Sequence, residues 1–396
     1  MFWIEFPHLL TPKPRKTANN AFSSGENYLR VKDVKKLILR TAAAILVAVL
    51  FLPANVYGIS AQKAIVTDAQ TGRVYFEKEA DTRSLIASTT KIMTALVVCR
   101  RCNVLDRVMI PKEAVGIEGS SMYLREGEIL TVQELLYGLM LHSGNDAAVA
   151  LAIYCAGTVE GFVQLMNDQA HRLGLENTHF ENPHGLDSPE HYSTARDLAT
   201  LAAYAMKDPI FARTVSAKNV RIGQRSLQNH NKLLWRVDGA DGVKTGFTKA
   251  AGRILVSSAS RDGRRVICVT INDGNDWVDH ATLLENAFSR YTLRKILSEG
   301  DSVGTLEVAG GKSARVQLLA NADFYYPLAE NEETQILLSG PGFAYAPVAQ
   351  GQRAGTAYIC IGDTCVGKVD VIYGQTVEQE KEEKTPFWKR LLGGGL

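Results

Sequence analysis

Ser88 stands three residues before Lys91 in the run LIASTTKIMTALVV. In a helix that starts near Ser88, residues three apart share a face, so the Lys91 amine can reach the Ser88 hydroxyl and act as its base. That chemistry requires a neutral amine. A lysine with its ordinary pKa of about 10.4 is neutral in only about one molecule in 2500 at pH 7. Burial and a second nearby cation must lower it, and a shift of two to three units corresponds to roughly 3 to 4 kcal/mol of differential interaction. Serine is also a common helix N-cap, so the S-x-x-K spacing alone does not separate a nucleophile from an ordinary helix start.

Two further clusters bear on the choice. Ser143-Gly144-Asn145 lies within HSGND, and Lys244-Thr245-Gly246 lies within GADGVKTGF. Lys244 can supply the second cation. The elements around these clusters suit the same chemistry. TVQELLYGLMLHSGNDAAVALAIYCAG opens with Thr131 and carries Glu134 three residues on, a capping-box start to a helix. Its helical spacing breaks at HSGND and resumes in the alanine-rich run. Two helices therefore meet at a tight turn around Ser143, Gly144 and Asn145, where side chains can project into a cleft. The runs AGRILVSSAS and RRVICVTIND, joined by Arg261-Asp262-Gly263, read as antiparallel strands. Lys244-Thr245-Gly246 is expected near the start of a neighbouring strand, where glycine lets a ligand approach the backbone closely. Upstream, KAIVTDAQTGRVYFEKEA reads as two strands turning at Thr71-Gly72.

Composition narrows the function classes. With 396 residues, 46% of them hydrophobic, the chain can bury a large core and divide into two domains. A net charge of +2 gives no general attraction to nucleic acid. Six cysteines are too sparse for a disulfide framework. Cys99 and Cys102 close an apolar helix and read as buried structural thiols. Cys360 and Cys365 bracket IGDT between two strand-like runs, where a hairpin disulfide is possible in an oxidising environment. A zinc site joining the two pairs is disfavoured because they fall in different domains. His179, His184 and His191 lack the i, i+4 helical pair of a hydrolytic zinc motif and shape a loop instead. His142 reads as a local packing residue. No metal and no cofactor are expected.

The ends of the chain carry their own signals. Basic residues Lys32, Lys35, Lys36 and Arg40 precede TAAAILVAVLFLP, an apolar run too short to span a membrane. It reads as an export signal cleaved after Gly58 or Ala61, behind an unusually long N-terminal extension. After about residue 298 the chain becomes short strand-like runs, ARVQLLA, TQILLSG, TAYICIG and VGKVDVIYG, consistent with a small sandwich. Four segments follow: 1–61 signal and extension, 62–297 catalytic domain, 298–377 small β-rich domain, and 378–396 charged linker with an amphipathic tail. The tail, with Phe387, Trp388, Lys389, Arg390, Leu391 and Leu392, is suited to a membrane surface.

S-x-x-K, S-x-N about 55 residues later and K-T-G about 100 beyond that match the ordered motifs of penicillin-binding proteins and serine β-lactamases. SMYLREGEILTVQELLYGLMLHSGNDAAVALA, NPHGLDSPEHYSTARDLA and GVKTGFTKAAGRILVSSASRDGRRVI extend the likeness. Across residues 60 to 375 the chain resembles the D-alanyl-D-alanine carboxypeptidases of the low-molecular-mass penicillin-binding class, especially those of Gram-positive spore-formers. The resemblance implies an α/β domain of the β-lactamase/penicillin-binding type, with helices on a mainly antiparallel sheet, followed by a small all-β domain. It implies a substrate, the peptidoglycan stem peptide ending in D-Ala-D-Ala, and acylation by β-lactam antibiotics. Ser88 would be the nucleophile, Lys91 its base and Ser143 the relay to the leaving amine. Asn145 would bind the substrate amide, and Lys244 and Thr245 the free carboxylate, with Gly246 and Phe247 completing the substrate-binding strand. The N–H groups of Ser88 and Phe247 would form the oxyanion hole. Some relatives carry a carboxylate-binding arginine after the third motif, and here NDGNDWVDHATLL has none. A β-lactamase shares the motifs but typically lacks the β-rich domain. A non-catalytic wall-binding scaffold would be expected to have lost Ser88, Lys91 or Lys244.

Overall fold

In the computed structural model, residues 58–381 are described. The proposed signal run and the amphipathic tail lie outside them. β1 (Lys63–Asp68) and β2 (Val74–Lys78) form the expected hairpin. A 3-10 turn, Ala87–Thr90, then leads directly into α1 (Lys91–Arg101). Every residue of α1 from Lys91 to Cys99 is buried, as befits a helix packed on all sides within a core.

β3 (Arg107–Met109) pairs with β4 (Ile129–Thr131), which hands over to α2 (Val132–Leu141). The capping box forms as read: Glu134 N–H donates to Thr131 Oγ1, and Thr131 N–H donates to Glu134 Oε2 at 2.7 Å. α3 (Asn145–Ala156) follows after the HSG turn. α4 (Val159–Arg172), α5 (Ala195–Ala205) and α6 (Pro209–Ser216) start at side-chain caps from Thr158, Thr194 and Asp208. The short hairpin of β5 (Asn219–Ile222) and β6 (Arg225–Gln228) precedes β7 (Ala240–Thr248), β8 (Gly252–Arg261) and β9 (Arg264–Ile271), and α7 (Asp276–Arg290) completes this half. The central sheet has the order β2-β1-β9-β8-β7 and is antiparallel throughout. The main core joins α1 to the sheet through Ile65, Ile92, Leu96, Val256 and Ile267.

Two expectations need correction. Lys244-Thr245-Gly246 lies in the middle of β7, because the ladder with β8 extends back to Ala240 opposite Ala259. Of the C-x-x-C thiols only Cys99 is buried; Cys102 caps the C-terminus of α1 and is half-buried, since the helix ends there and the chain turns out.

The remaining strands are β10 (Tyr291–Leu297), β11 (Ser302–Ala309), β12 (Arg315–Ala320), β13 (Phe324–Ala329), β14 (Thr334–Ser339), β15 (Phe343–Tyr345), β16 (Arg353–Ile361) and β17 (Thr364–Tyr373). Six form a sheet in the order β14-β16-β17-β12-β11-β15, while β10 pairs with β13. Leu297 packs with Ala320, Ile359 and Val369 between the two layers. Cys360 and Cys365 face each other across the β16–β17 hairpin and are disulfide-bonded. Arg73, from the turn before β2, ties the halves together. It donates to Pro327 O at 2.7 Å, pairs with Glu332 and lies over the rings of Tyr291 and Tyr326.

Candidate active site

Ser88 sits in a sharply folded segment. Ala87 before it has φ +45°, in the left-handed region that ordinary residues avoid. Thr90 Oγ1 donates to Ala87 O at 2.8 Å and holds the turn. Gly185, from the NPHGLD loop, presses on the same carbonyl; a Cβ there would lie 1.9 Å from Ala87 O.

Lys91 Nζ has three oxygen neighbours: Ser88 Oγ at 2.9 Å, Asn145 Oδ1 at 2.7 Å and His184 O at 2.6 Å. Two of these, an amide and a peptide carbonyl, can only accept. A neutral amine has two N–H bonds, so donating both to Asn145 and His184 leaves its lone pair directed at Ser88. The arrangement therefore orients a base toward the serine hydroxyl. Lys91 is fully buried, and burial, followed by the charge of Lys244, pushes its amine well below the ordinary lysine pKa. Lys244 is lowered to about 7 by burial, and its Nζ donates to Thr245 O at 2.8 Å.

The turn at Ser143 is built as the sequence indicates. Ser143 has φ +62° and is 5% exposed. Asp146, one residue into α3, accepts from Met122 N–H at 3.0 Å, Leu124 N–H at 3.1 Å and Ser121 Oγ at 2.7 Å, clamping the 120–124 loop over the start of the helix. Asn145 N–H donates to Ser120 O, and its Nδ2 donates to Glu118 O at 2.5 Å. Both ends of the Asn145 amide are therefore engaged. Its oxygen holds Lys91 and one N–H of Nδ2 is used on Glu118 O, which leaves the second N–H for a substrate carbonyl.

A cleft of about 290 Å³ opens above this machinery. Ser88, Ser143, Thr245, Gly246 and Phe247 line it, while Lys91, Asn145 and Lys244 lie buried beneath. Gly246 lets β7 pass close to the Ser88 turn: a Cβ there would lie 3.3 Å from Ser88 N and from Ile86 O, a tight contact. Sequence reasoning missed Ser120, His230, Arg253, Asp276 and Trp277, which also face the cleft. No local signal marked them. Arg253 projects from β8, and its guanidinium grips Asp276 through Nη2 at 2.8 Å beside the Trp277 ring. The NDGNDWVDH segment has no arginine, yet it receives one from the adjacent strand.

The histidines serve the scaffold. His191 Nδ1 accepts from Glu181 N–H, so Nε2 carries the proton and donates to Thr90 Oγ1 at 2.7 Å. Burial pushes His191 and His184 down to about 4, keeping both neutral. His142 lies beside His230, with ring centres 5.2 Å apart and ring planes tilted by 51°. Among the described residues no cluster of three or more His, Cys, Asp or Glu is placed to hold a metal.

A serine at the mouth of a buried helix, its lysine one turn on, a serine at a helix–helix turn and a K-T-G strand along the cleft define an active-serine hydrolase of the penicillin-recognising class. The chain belongs to the D-alanyl-D-alanine carboxypeptidase family, whose sequence profile matches residues 52–275. The profile of the penicillin-binding protein 5 C-terminal domain matches residues 291–379. The D-alanyl-D-alanine carboxypeptidase DacF of Bacillus subtilis is 31% identical over 75% of this chain and 80% of its own length. DacD of Escherichia coli is 35% identical over 75% of this chain and 81% of its own. The crystal structure of penicillin-binding protein 5 from Haemophilus influenzae superimposes with a TM-score of 0.71 at 30% identity, covering 81% of this chain and 98% of that one.

Proposed function

We propose that this chain removes the terminal D-Ala from peptidoglycan pentapeptides through an acyl-enzyme on Ser88. The observation that carries this reading is the 2.9 Å contact between Ser88 Oγ and a buried Lys91 Nζ whose other two partners can only accept. Neutral Lys91 takes the Ser88 proton as Oγ attacks the carbonyl of the penultimate D-Ala. The N–H groups of Ser88 and Phe247 receive the oxyanion. Collapse breaks the peptide bond, with Ser143 passing a proton to the departing D-Ala nitrogen. Water then hydrolyses the ester and regenerates Ser88. Thr245 grips the free carboxylate at the cleft surface, and Lys244 supplies positive charge from below. β-Lactams, which carry a comparable carboxylate, acylate the same serine. D-Ala release from a D-Ala-D-Ala peptide by the purified protein, set against its turnover of penicillin, tests the reading; efficient penicillin turnover without D-Ala release would favour a β-lactamase.

The chain is proposed to work outside the cytoplasm, following export and cleavage after Gly58. Ser60 and Ala61 favour that site over one after Ala61. Ser60 N–H donates to Asp279 Oδ2 at 2.6 Å, and its hydroxyl to Asp273 Oδ1 at 2.6 Å. Ala61 O accepts from Lys78 Nζ. N-terminal sequencing of the mature protein decides between them. The tail is proposed to rest on the membrane surface, and deleting residues 383–396 should release the protein from membranes with D-Ala release unchanged.

A further inference from the structure

Helices α1 and α3 lie side by side and run the same way. At their N-terminal ends Lys91 and Asn145 meet at 2.7 Å. At their C-terminal ends Tyr154 Oη donates to Asp106 Oδ2 at 2.8 Å, pinning the end of α3 to the turn that follows α1, and the Cys102 and Cys155 thiols lie close enough there to perturb one another's pKa. Both thiols are half-buried and pack against the main core, whereas Cys99 and Cys268 are buried. The pair is thus reachable by a small oxidant, at neighbouring helix ends.

We propose that Cys102 and Cys155 form a reversible disulfide that staples α1 to α3, at the opposite ends of the two helices that carry Lys91 and Asn145. Cys155 is the attacking thiol. Its pKa is lowered by the hydrogen bond with Cys102 and also by the Arg101 guanidinium, while Cys102 is raised by Cys155 and by burial. The Cys155 thiolate attacks a disulfide oxidant, such as oxidised glutathione, and releases one thiolate. Cys102 then loses its proton and attacks the Cys155 sulfur of the mixed disulfide, releasing the second thiol. Two protein thiols are oxidised and one external disulfide is reduced to two thiols. The bond closes the chain between residues 102 and 155, which includes the 120–124 loop and the Ser143 turn, and so restrains both parts of the cleft wall.

The exported location proposed above supplies the oxidant in the cell. The pair itself is tested on purified full-length protein, where D-Ala release is a separate readout. A Cys360→Ser/Cys365→Ser background removes the existing disulfide from the measurement. After equilibration with oxidised glutathione, maleimide should label neither Cys102 nor Cys155, and a non-reducing digest should contain a peptide joining them. Dithiothreitol should reverse both results. Oxidation should raise the Tm by about 5 °C or more, and Cys155→Ser should abolish the rise. Continued maleimide labelling of both thiols, arrest at a glutathione adduct on Cys155, or a Cys99–Cys102 link would each overturn the proposal. If Cys155→Ser does not fold, the joined peptide in the otherwise unaltered background still decides.

Discussion

Asn145 Oδ1 accepts a hydrogen bond from Lys91 Nζ at 2.7 Å, while its Nδ2 donates to Glu118 O. The amide is neutral, so it orients the lysine without stabilising its charged form as a carboxylate would. Asn145→Asp should place an anion at that distance and raise the Lys91 pKa. At pH 7 kcat/KM should fall by about 100-fold or more, and the acid limb of its pH profile should move to higher pH. A uniform loss at every pH would show that Asn145 acts on the substrate alone.

Penicillin provides a direct test of the nucleophile. Mass spectrometry should locate the adduct on the peptide containing Ser88, and Ser88→Ala should remove it. Lys91→Ala should slow acylation by about 10²- to 10⁴-fold, because the hydroxyl loses its base. An adduct on a peptide lacking Ser88 would refute the assignment.

The two buried lysines have opposite requirements: Lys91 must be neutral and Lys244 charged. The alkaline limb of kcat/KM, which reports the free enzyme, is therefore expected near pH 7, where Lys244 loses its proton. In kcat the limb should lie higher, because the bound carboxylate favours the ammonium. The same shift affects stability. The folded pKa of Lys244, about 7, lies below the ordinary 10.5, so between them the unfolded chain binds more protons. Unfolding free energy should rise with pH across that window, and the rise should be smaller in Lys244→Met, measured by urea titration.

Gly185 has φ +89° and faces Ala87 O. Gly185→Ala should cost about 2 to 3 kcal/mol of stability through backbone strain and steric displacement. Because the displaced carbonyl immediately precedes Ser88, penicillin acylation should slow as well. Urea unfolding and acylation kinetics on the same preparation check both effects.

Arg253 presents a cation to the cleft from β8, held by Asp276. If it contributes to carboxylate binding, Arg253→Ala should raise KM for a D-Ala-D-Ala peptide by about 10-fold with a smaller change in kcat. An unchanged KM would leave carboxylate recognition to Thr245 and Lys244.

Much of the site was legible because its pieces are local. Spacing of three residues brings Ser88 and Lys91 together in any helical turn, and the Thr131–Glu134 box marks the start of α2 within four residues. The break at HSGND places Ser143 at a helix junction for the same short-range reason. Other features depend on contacts that no local pattern encodes. The neutral state of Lys91 requires complete burial and Lys244, which arrives from a distant strand. The extent of β7 is set by its ladder to β8, which puts K-T-G in the middle of the strand. The use of Asn145 as a lysine anchor depends on how α1 packs beside α3. Arg253 enters the cleft because strand alternation directs it toward Asp276, 23 residues on. The sequence alone determined which residues could do chemistry and the elements that carry them; tertiary packing decided their protonation states and their partners, because desolvation and convergence exist only once distant segments have closed around the site.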